Sequence, residues 1–333
     1  LMCIRLRRRL KNMNKTFYNQ RFDGVQALRG LAAVSVLLHH ISCIENGAFG
    51  VDIFFCISGF IMMYVSQLNT DHFLWKRIIR IVPMYYFITL IAIIGYNINK
   101  DIFDRTVIDG KYILQSLFFV PFTGSGKIMP IVKVGWTLNY EMMFYVIIWL
   151  SMKISHKYRS LIASVVLVAI VLICKSFGFT NTVLSEFIYG MAAYHILSGI
   201  NYEKIRDKAY VRWILLFVAL MTYVFLWCVK YMDYPGSLKR FIIKGIPAFI
   251  IFMCVFIATY GMKVPKPFVF LGDISYSLYL VHYYVARVFN KYFDFIPGAM
   301  HIVCVLGISL ILAAISYNVF EKKLNSYLRK KLL

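Results

Sequence analysis

Leu28–His40, LRGLAAVSVLLHH, is apolar enough to enter a bilayer, yet it carries Arg29 and His40. An ionisable residue inside a membrane segment is costly and marks a functional site by default. Eleven positions separate the two, almost three whole helical turns. Both side chains therefore share one helix face, roughly 16 Å apart along the axis. A cation near one end and a titratable imidazole near the other suggest a pathway through a membrane rather than a simple anchor. His39 points about 100° away from His40 and reads as lipid-facing or helix-packing.

Outward from this stretch, further apolar runs follow at Ile81–Ile98, Leu161–Cys174, Trp213–Val229, Phe241–Met262 and Ile302–Phe320. The chain of 333 residues is 60% apolar, against about 45–50% for soluble domains. Most runs reach or approach the ~20 residues that a spanning helix needs. The fold class is an all-α polytopic integral membrane protein, since a β-barrel would show short alternating strands. Ten spans are expected, at about 25–44, 48–67, 80–97, 136–152, 160–176, 180–199, 211–230, 241–261, 268–288 and 300–319. The segment 112–121 is short and ends in Pro121, so it is expected to be re-entrant or interfacial.

Net charge is +22. The basic residues cluster in loops and ends, as the positive-inside rule requires, so nucleic acid is not an expected partner. Arg5, Arg7, Arg8, Arg9, Lys11, Lys15 and Arg21 lie at one end, and Lys322, Lys323, Arg329, Lys330 and Lys331 at the other. Both termini are expected in the cytoplasm, as a basic segment 1–20 and a basic tail 321–333 flanking a membrane domain at 21–320. Leu1 is not an ordinary initiator, and Met13 is the more natural start. The seven cysteines are scattered and read as small hydrophobes. There is no metal-ligand spacing, no G-x-S-x-G elbow, no phosphate-cradling glycine loop and no H-E-x-x-H.

Several polar residues need more than the membrane reading. Asp52 is either a helix N-terminal charge favoured by the dipole or a site residue. Ser58 and Gly59 suit close helix packing. Arg77 and Arg80 are three apart and share a helix face. They serve either as positive-inside anchors or as a guanidinium pair for a polyphosphate ligand. Trp136 suits an interfacial anchor. Glu141 lies five residues into its span, roughly 7 Å below the surface. It is expected to pair with Arg29, His40 or another buried cation and to tune an acid–base group. His282 either hydrogen-bonds a neighbouring helix or belongs to the site.

Together these segments resemble the membrane acyltransferase-3 family, which O-acylates bacterial surface and exported polysaccharides. LRGLAAVSVLLHH matches its Arg, ten residues, His signature at Arg29 and His40. GVDIFFCISGFIM resembles its second-helix motif, with Asp52 and Ser58. WKRIIRIVPMYY resembles its basic third-helix entry, with Arg77 and Arg80. WTLNYEMMFY resembles its W-S-L-x-x-E-x-x-F-Y pattern, with Trp136, Glu141 and Tyr145 in place and Thr137 where serine is usual. LGDISYSLYLVH resembles its late element ending in His282, and VFEKK its closing Phe-Glu-Lys.

The resemblance implies acetyl-CoA as donor substrate, with no bound cofactor and no metal. It implies a polysaccharide or lipid-linked glycan acceptor, a setting among the lipids of the bacterial inner membrane, and the stand-alone O-antigen or exopolysaccharide O-acetyltransferase type. His40 would be the general base, Arg29 and Glu141 its catalytic companions, and Arg77 and Arg80 the donor-binding pair. Asp52 or Glu141 would orient His40. A glycan or acyl-intermediate transporter is the alternative, because buried Arg, His and Glu also mark ion-coupled pathways.

Overall fold

Helix α2 (Gly50–Leu68) carries most of its length inside the protein, and its neighbours pack around it. The structure is a computed structural model. It describes residues 21–333 apart from 43, 45, 69, 104–107, 121, 124–125, 128, 178–181, 203–204, 206–207 and 230–237. The 1–20 segment of the sequence reading lies outside the described residues. The described chain is helical, with one two-residue antiparallel pair, Phe122–Thr123 against Gly126–Lys127. Helices dominate because no water reaches the bilayer core, so each backbone N–H and C=O must bond within its own segment.

Around α2 lie α1 (Asp23–His39), α3 (Phe73–Ile98), α4 (Gly110–Leu117), α5 (Trp136–Ile154), α6 (Arg159–Ser176) and α7 (Phe187–Ser198). Helices α8 (Ala209–Cys228), α9 (Ile246–Thr259), α10 (Lys266–Asp273), α11 (Ser275–Tyr292), α12 (Gly298–Ser316) and α13 (Lys322–Leu332) follow. Among the described residues, six stretches are long and apolar enough to cross a membrane: α2, α3, α6, α8, Phe241–Thr259 and Gly298–Leu332. Of the other four expected spans, 136–152 is one continuous helix, α5, and the remaining three are shaped differently. Helix α1 has 17 residues and closes early, with His40 N–H and Ile41 N–H turning back to Leu37 O and Leu38 O at 3.0 Å each. The span expected at 180–199 is a 3₁₀ turn, Thr182–Glu186, followed by α7.

The span expected at 268–288 is broken. Helix α10 ends at Asp273, whose carboxylate accepts from Gln26 Nε2 (2.8 Å) and Arg21 Nη2 (2.9 Å). Gly272 lies flat against the Gln26 backbone, where a Cβ would have no room. With its end pinned to the start of α1, the chain restarts as α11. The segment expected at 112–121 overlaps α4, whose eight residues reach only about 12 Å. The stretch 321–333 continues α12 through a π turn, Tyr317–Glu321, into α13.

The core is aromatic. Phe144 and Phe55 sandwich Phe187 with centroids 4.1 and 4.5 Å away. Phe60, Phe252 and Phe256 pack edge and tilted beside them. The outer helices α6, α8 and α12 expose Leu161, Val165, Phe217, Leu220, Val303 and Ile311, as lipid-facing surfaces do. Helices α2 and α7 touch backbone to backbone at Gly59 and Gly190, where a Cβ on Gly190 would meet Cys56 O and Phe60 N. Gly190→Val is expected to cost about 1–3 kcal/mol by forcing the helices apart. Thermal unfolding in detergent should show the lowered midpoint. Gly307→Ala, in open space inside α12, should not lower it, because alanine favours the helix.

Candidate functional site

Two groups of polar side chains sit at different depths of the fold. The first surrounds Arg29. A cavity of about 50 Å³ is lined by Arg29 of α1, Phe54 and Ser58 of α2, Arg80 of α3, Glu141 of α5, and Tyr276 and Tyr279 of α11. A second cavity of about 230 Å³ shares Arg29, Ser58 and Arg80 with it and runs toward Arg21 and Tyr145. A polar passage thus starts near the Arg21 end of α1 and narrows toward Tyr279. Glu141 is held inside it, accepting from Ser58 Oγ at 3.1 Å and from the Tyr145 hydroxyl. Arg80 and Arg29 lie within electrostatic range of Glu141 and of Glu321. Glu321 itself accepts from Ser277 Oγ at 2.6 Å. Pro83 interrupts the amide ladder of α3 one turn above Arg80, and the Tyr276 hydroxyl donates to Ile81 O nearby at 2.7 Å.

The second group is histidine. His40 caps α1, and its Nδ1 lies 2.8 Å from Val36 O. A carbonyl only accepts, so Nδ1 carries the proton. His282 of α11 places Nδ1 2.9 Å from Leu278 O, which by the same argument leaves its Nε2 a lone-pair acceptor. That Nε2 is 3.3 Å from His40 Nδ1. The His40 Nδ1 proton is therefore shared between Val36 O and His282, and His40 Nε2 is left as the basic atom. Tyr283 meets His40 edge-on at 5.3 Å, and Lys133 Nζ lies 5.5 Å from the Tyr283 ring centre. His39 stands edge-on to His40 at 5.3 Å.

Tyr279 separates the two groups. It lines the arginine cavity, faces His282 at 5.7 Å and Phe54 at 5.8 Å, and is held by its hydroxyl against Thr137 Oγ1 (2.8 Å) and Val134 O (3.0 Å). Chemically, the arrangement offers an anion-binding passage at one level and a neutral imidazole base at the other.

The residues singled out in the sequence fall into distinct places. Arg29, Arg80, Glu141, Ser58 and Tyr145 converge. His40 and His282 converge at the other level. Glu141 does not orient His40: its bonds go to Ser58 and Tyr145, on the arginine side. Ser58 reaches Glu141, and Gly59 makes the close backbone contact with α7. Asp52 does not orient His40 either, because it accepts from Arg240 Nη2 at 2.9 Å. Arg77 is 9% exposed and packs with its guanidinium 6.0 Å from the Phe73 ring centre. Trp136 opens α5 half-buried, edge-on to Tyr140 at 5.7 Å.

Some charged residues escaped the sequence reading. Arg240 also lies 3.7 Å from Glu186 Oε1. Asp52, Glu186, Arg240 and Lys244 are all buried, forming a second ionic cluster between α2, the turn before α7 and the start of the 241–261 segment. The available signal was an acid and two bases, four apart, inside apolar runs.

The acyltransferase domain family model matches residues 22–318. The exopolysaccharide production protein ExoZ of Rhizobium meliloti (strain 1021) is 36% identical over 166 residues, 46% of this chain and 51% of ExoZ. The O-acetyltransferase OatA of Staphylococcus aureus (strain NCTC 8325 / PS 47) is 25% identical over 93% of this chain and 58% of its own length. The putative peptidoglycan O-acetyltransferase YrhL of Bacillus subtilis (strain 168) is 26% identical over 94% of this chain and 56% of its own. The chain thus spans about half the length of these curated relatives. No solved structure matches it.

Proposed function

The chain belongs to the acyltransferase domain family, and from that membership we propose that it moves an acetyl group from cytoplasmic acetyl-CoA to a hydroxyl of a surface polysaccharide. The setting is the bacterial inner membrane, both termini face the cytoplasm, and the acceptor is an O-antigen or exopolysaccharide glycan on the outer side. What best supports the reading is the locked imidazole of His40 beyond an arginine-lined passage. The donor's phosphates stay with Arg80 and Arg77 at the inner end, and its thioester leads outward.

Arg29 and His40 lie roughly 16 Å apart along their helix, so one atom cannot touch both. Arg29 therefore grips the carrier and not the reacting carbonyl. The pantetheine arm, comparable in reach to about five extended residues or ~17 Å, spans the gap. At His40 the sugar oxygen attacks the thioester carbonyl as its proton passes to Nε2. The tetrahedral intermediate then collapses, the C–S bond breaks, and the sulfur leaves with the proton that His40 returns. The His282 Nε2 lone pair supports the imidazolium through the shared Nδ1 proton, as a third group orients a base. Glu141 sets the charge balance of the two arginines.

The test is transfer of label from [¹⁴C]acetyl-CoA to isolated surface glycan by purified protein in nanodiscs. Alkali-labile label on the glycan is the expected result. Binding or translocation of glycan without label would favour the transporter reading.

A further inference from the structure

The proposed donor site uses Arg77 and Arg80, but Arg77 shows a need that these two do not meet. Its side chain is nine-tenths buried, and its Nε has no hydrogen-bond partner among the described residues. A buried guanidinium hydrogen that bonds nothing keeps the full penalty of leaving water. A residue serving only as a positive-inside anchor would be solvated instead. Its charged surroundings deepen the cost, because Arg80 and Arg329 both lie within electrostatic range of it. Glu141 is also within range of Arg77, but its bonds go to Ser58 and Tyr145, so the Arg77 Nε donor stays open beside two like charges.

The register of the helices puts Arg329 there. The apolar cavity between α3 and the last helices, about 640 Å³, is lined from Gly95 to Phe87 on one side and from Ile308 to Phe320 on the other, so the two run antiparallel. Phe87 stacks on Phe320 with centroids 4.1 Å apart. From that stack Arg77 lies ten residues along α3, roughly 15 Å, and Arg329 nine residues along the other helix, roughly 13.5 Å. Helix α13 packs on α3, and Arg329 is exposed.

We propose that Arg329 of the C-terminal helix joins Arg77 in binding a phosphate monoester, the ribose 3′-phosphate of coenzyme A. This rests on the donor reading above. The thioester leads, so the diphosphate reaches the deeper Arg80 and the terminal ribose phosphate stops one turn earlier, at Arg77. The same chemistry could be offered by an anionic lipid headgroup, and the experiment separates the two sources.

CoA and dephospho-CoA binding to the purified full chain is measured by calorimetry, in nanodiscs of zwitterionic lipid and in nanodiscs containing phosphatidylglycerol. Arg329→Gln is expected to weaken CoA about tenfold, the worth of one charge-assisted bond, and to leave dephospho-CoA unchanged. Lys330→Gln removes the same charge from the same helix and should change neither. Equal losses for Arg329→Gln and Lys330→Gln would reduce the effect to bulk charge and overturn the site. An effect of Arg329→Gln confined to phosphatidylglycerol nanodiscs, with CoA affinity intact, would overturn it in favour of lipid. Failure of the unaltered protein to bind CoA at all would instead overturn the donor reading itself.

Discussion

His40→Ala is expected to lower acetyl transfer by about 10²–10⁴-fold, the range supplied by a positioned general base, while membrane insertion and the thermal midpoint stay near those of the unaltered protein. His40 sits at the end of α1 and is half-buried, so removing its ring leaves the aromatic core around Phe60 and Phe187 intact. On the proposed donor reading the loss should appear in kcat, because the donor's phosphates would bind at the other level of the fold. His282→Gln should cost less, about tenfold, since it removes only the group that accepts from Nδ1 and leaves Val36 O to hold the tautomer. Transfer assays at saturating acetyl-CoA check both. Full activity in His40→Ala would exclude it as the base, and a His282→Gln loss equal to that of His40→Ala would mean that His282, not His40, meets the sugar.

Arg240→Leu should have the largest effect on stability, about 3–5 kcal/mol, because it leaves a buried charge without its counterion. Asp52 and Glu186 face Arg240 and Lys244 in equal numbers, and the two carboxyl groups also lie within hydrogen-bond reach of each other. Their negative charge is balanced by these two cations, and one arginine is half of that balance. The expected observation is a strongly lowered midpoint or poor recovery from detergent. Asp52→Asn added to Arg240→Leu should restore part of the loss by removing one of the stranded acids. An unchanged midpoint in the single variant would mean that these groups are neutral in the fold.

Apolar runs were the most legible part of the sequence. Phe73–Ile98, Arg159–Ser176 and Ala209–Cys228 declare themselves because lipid demands length and hydropathy over a whole segment. The break at Ile274 did not, because Gly272 and Asp273 end α10 through contacts with Gln26 and Arg21, some 250 positions away. Site residues followed the same division. Arg29, Arg80 and Glu141 stand out because a charge in an apolar run is conspicuous wherever it points. Which charge meets which was hidden: helical periodicity orients Glu141 on its own helix but says nothing of the rotation of α5 against α1. The partner of His40 proved to be another histidine from a distant helix, and Asp52, a neighbour of His40 in sequence, turned to Arg240.

The π turn at Tyr317–Glu321 holds one residue more than a regular helix would need there. Deleting a single residue from it would leave the apolar stretch long enough to cross the bilayer. It would also rotate everything beyond by about 100° and draw it back by about 1.5 Å. Arg329 would then leave the face turned to Arg77, with no side chain altered. The C-terminal helix is thus addressed by chain count as well as by chemistry, and a scan by single-residue deletion would find a sensitivity that substitution at the same positions does not.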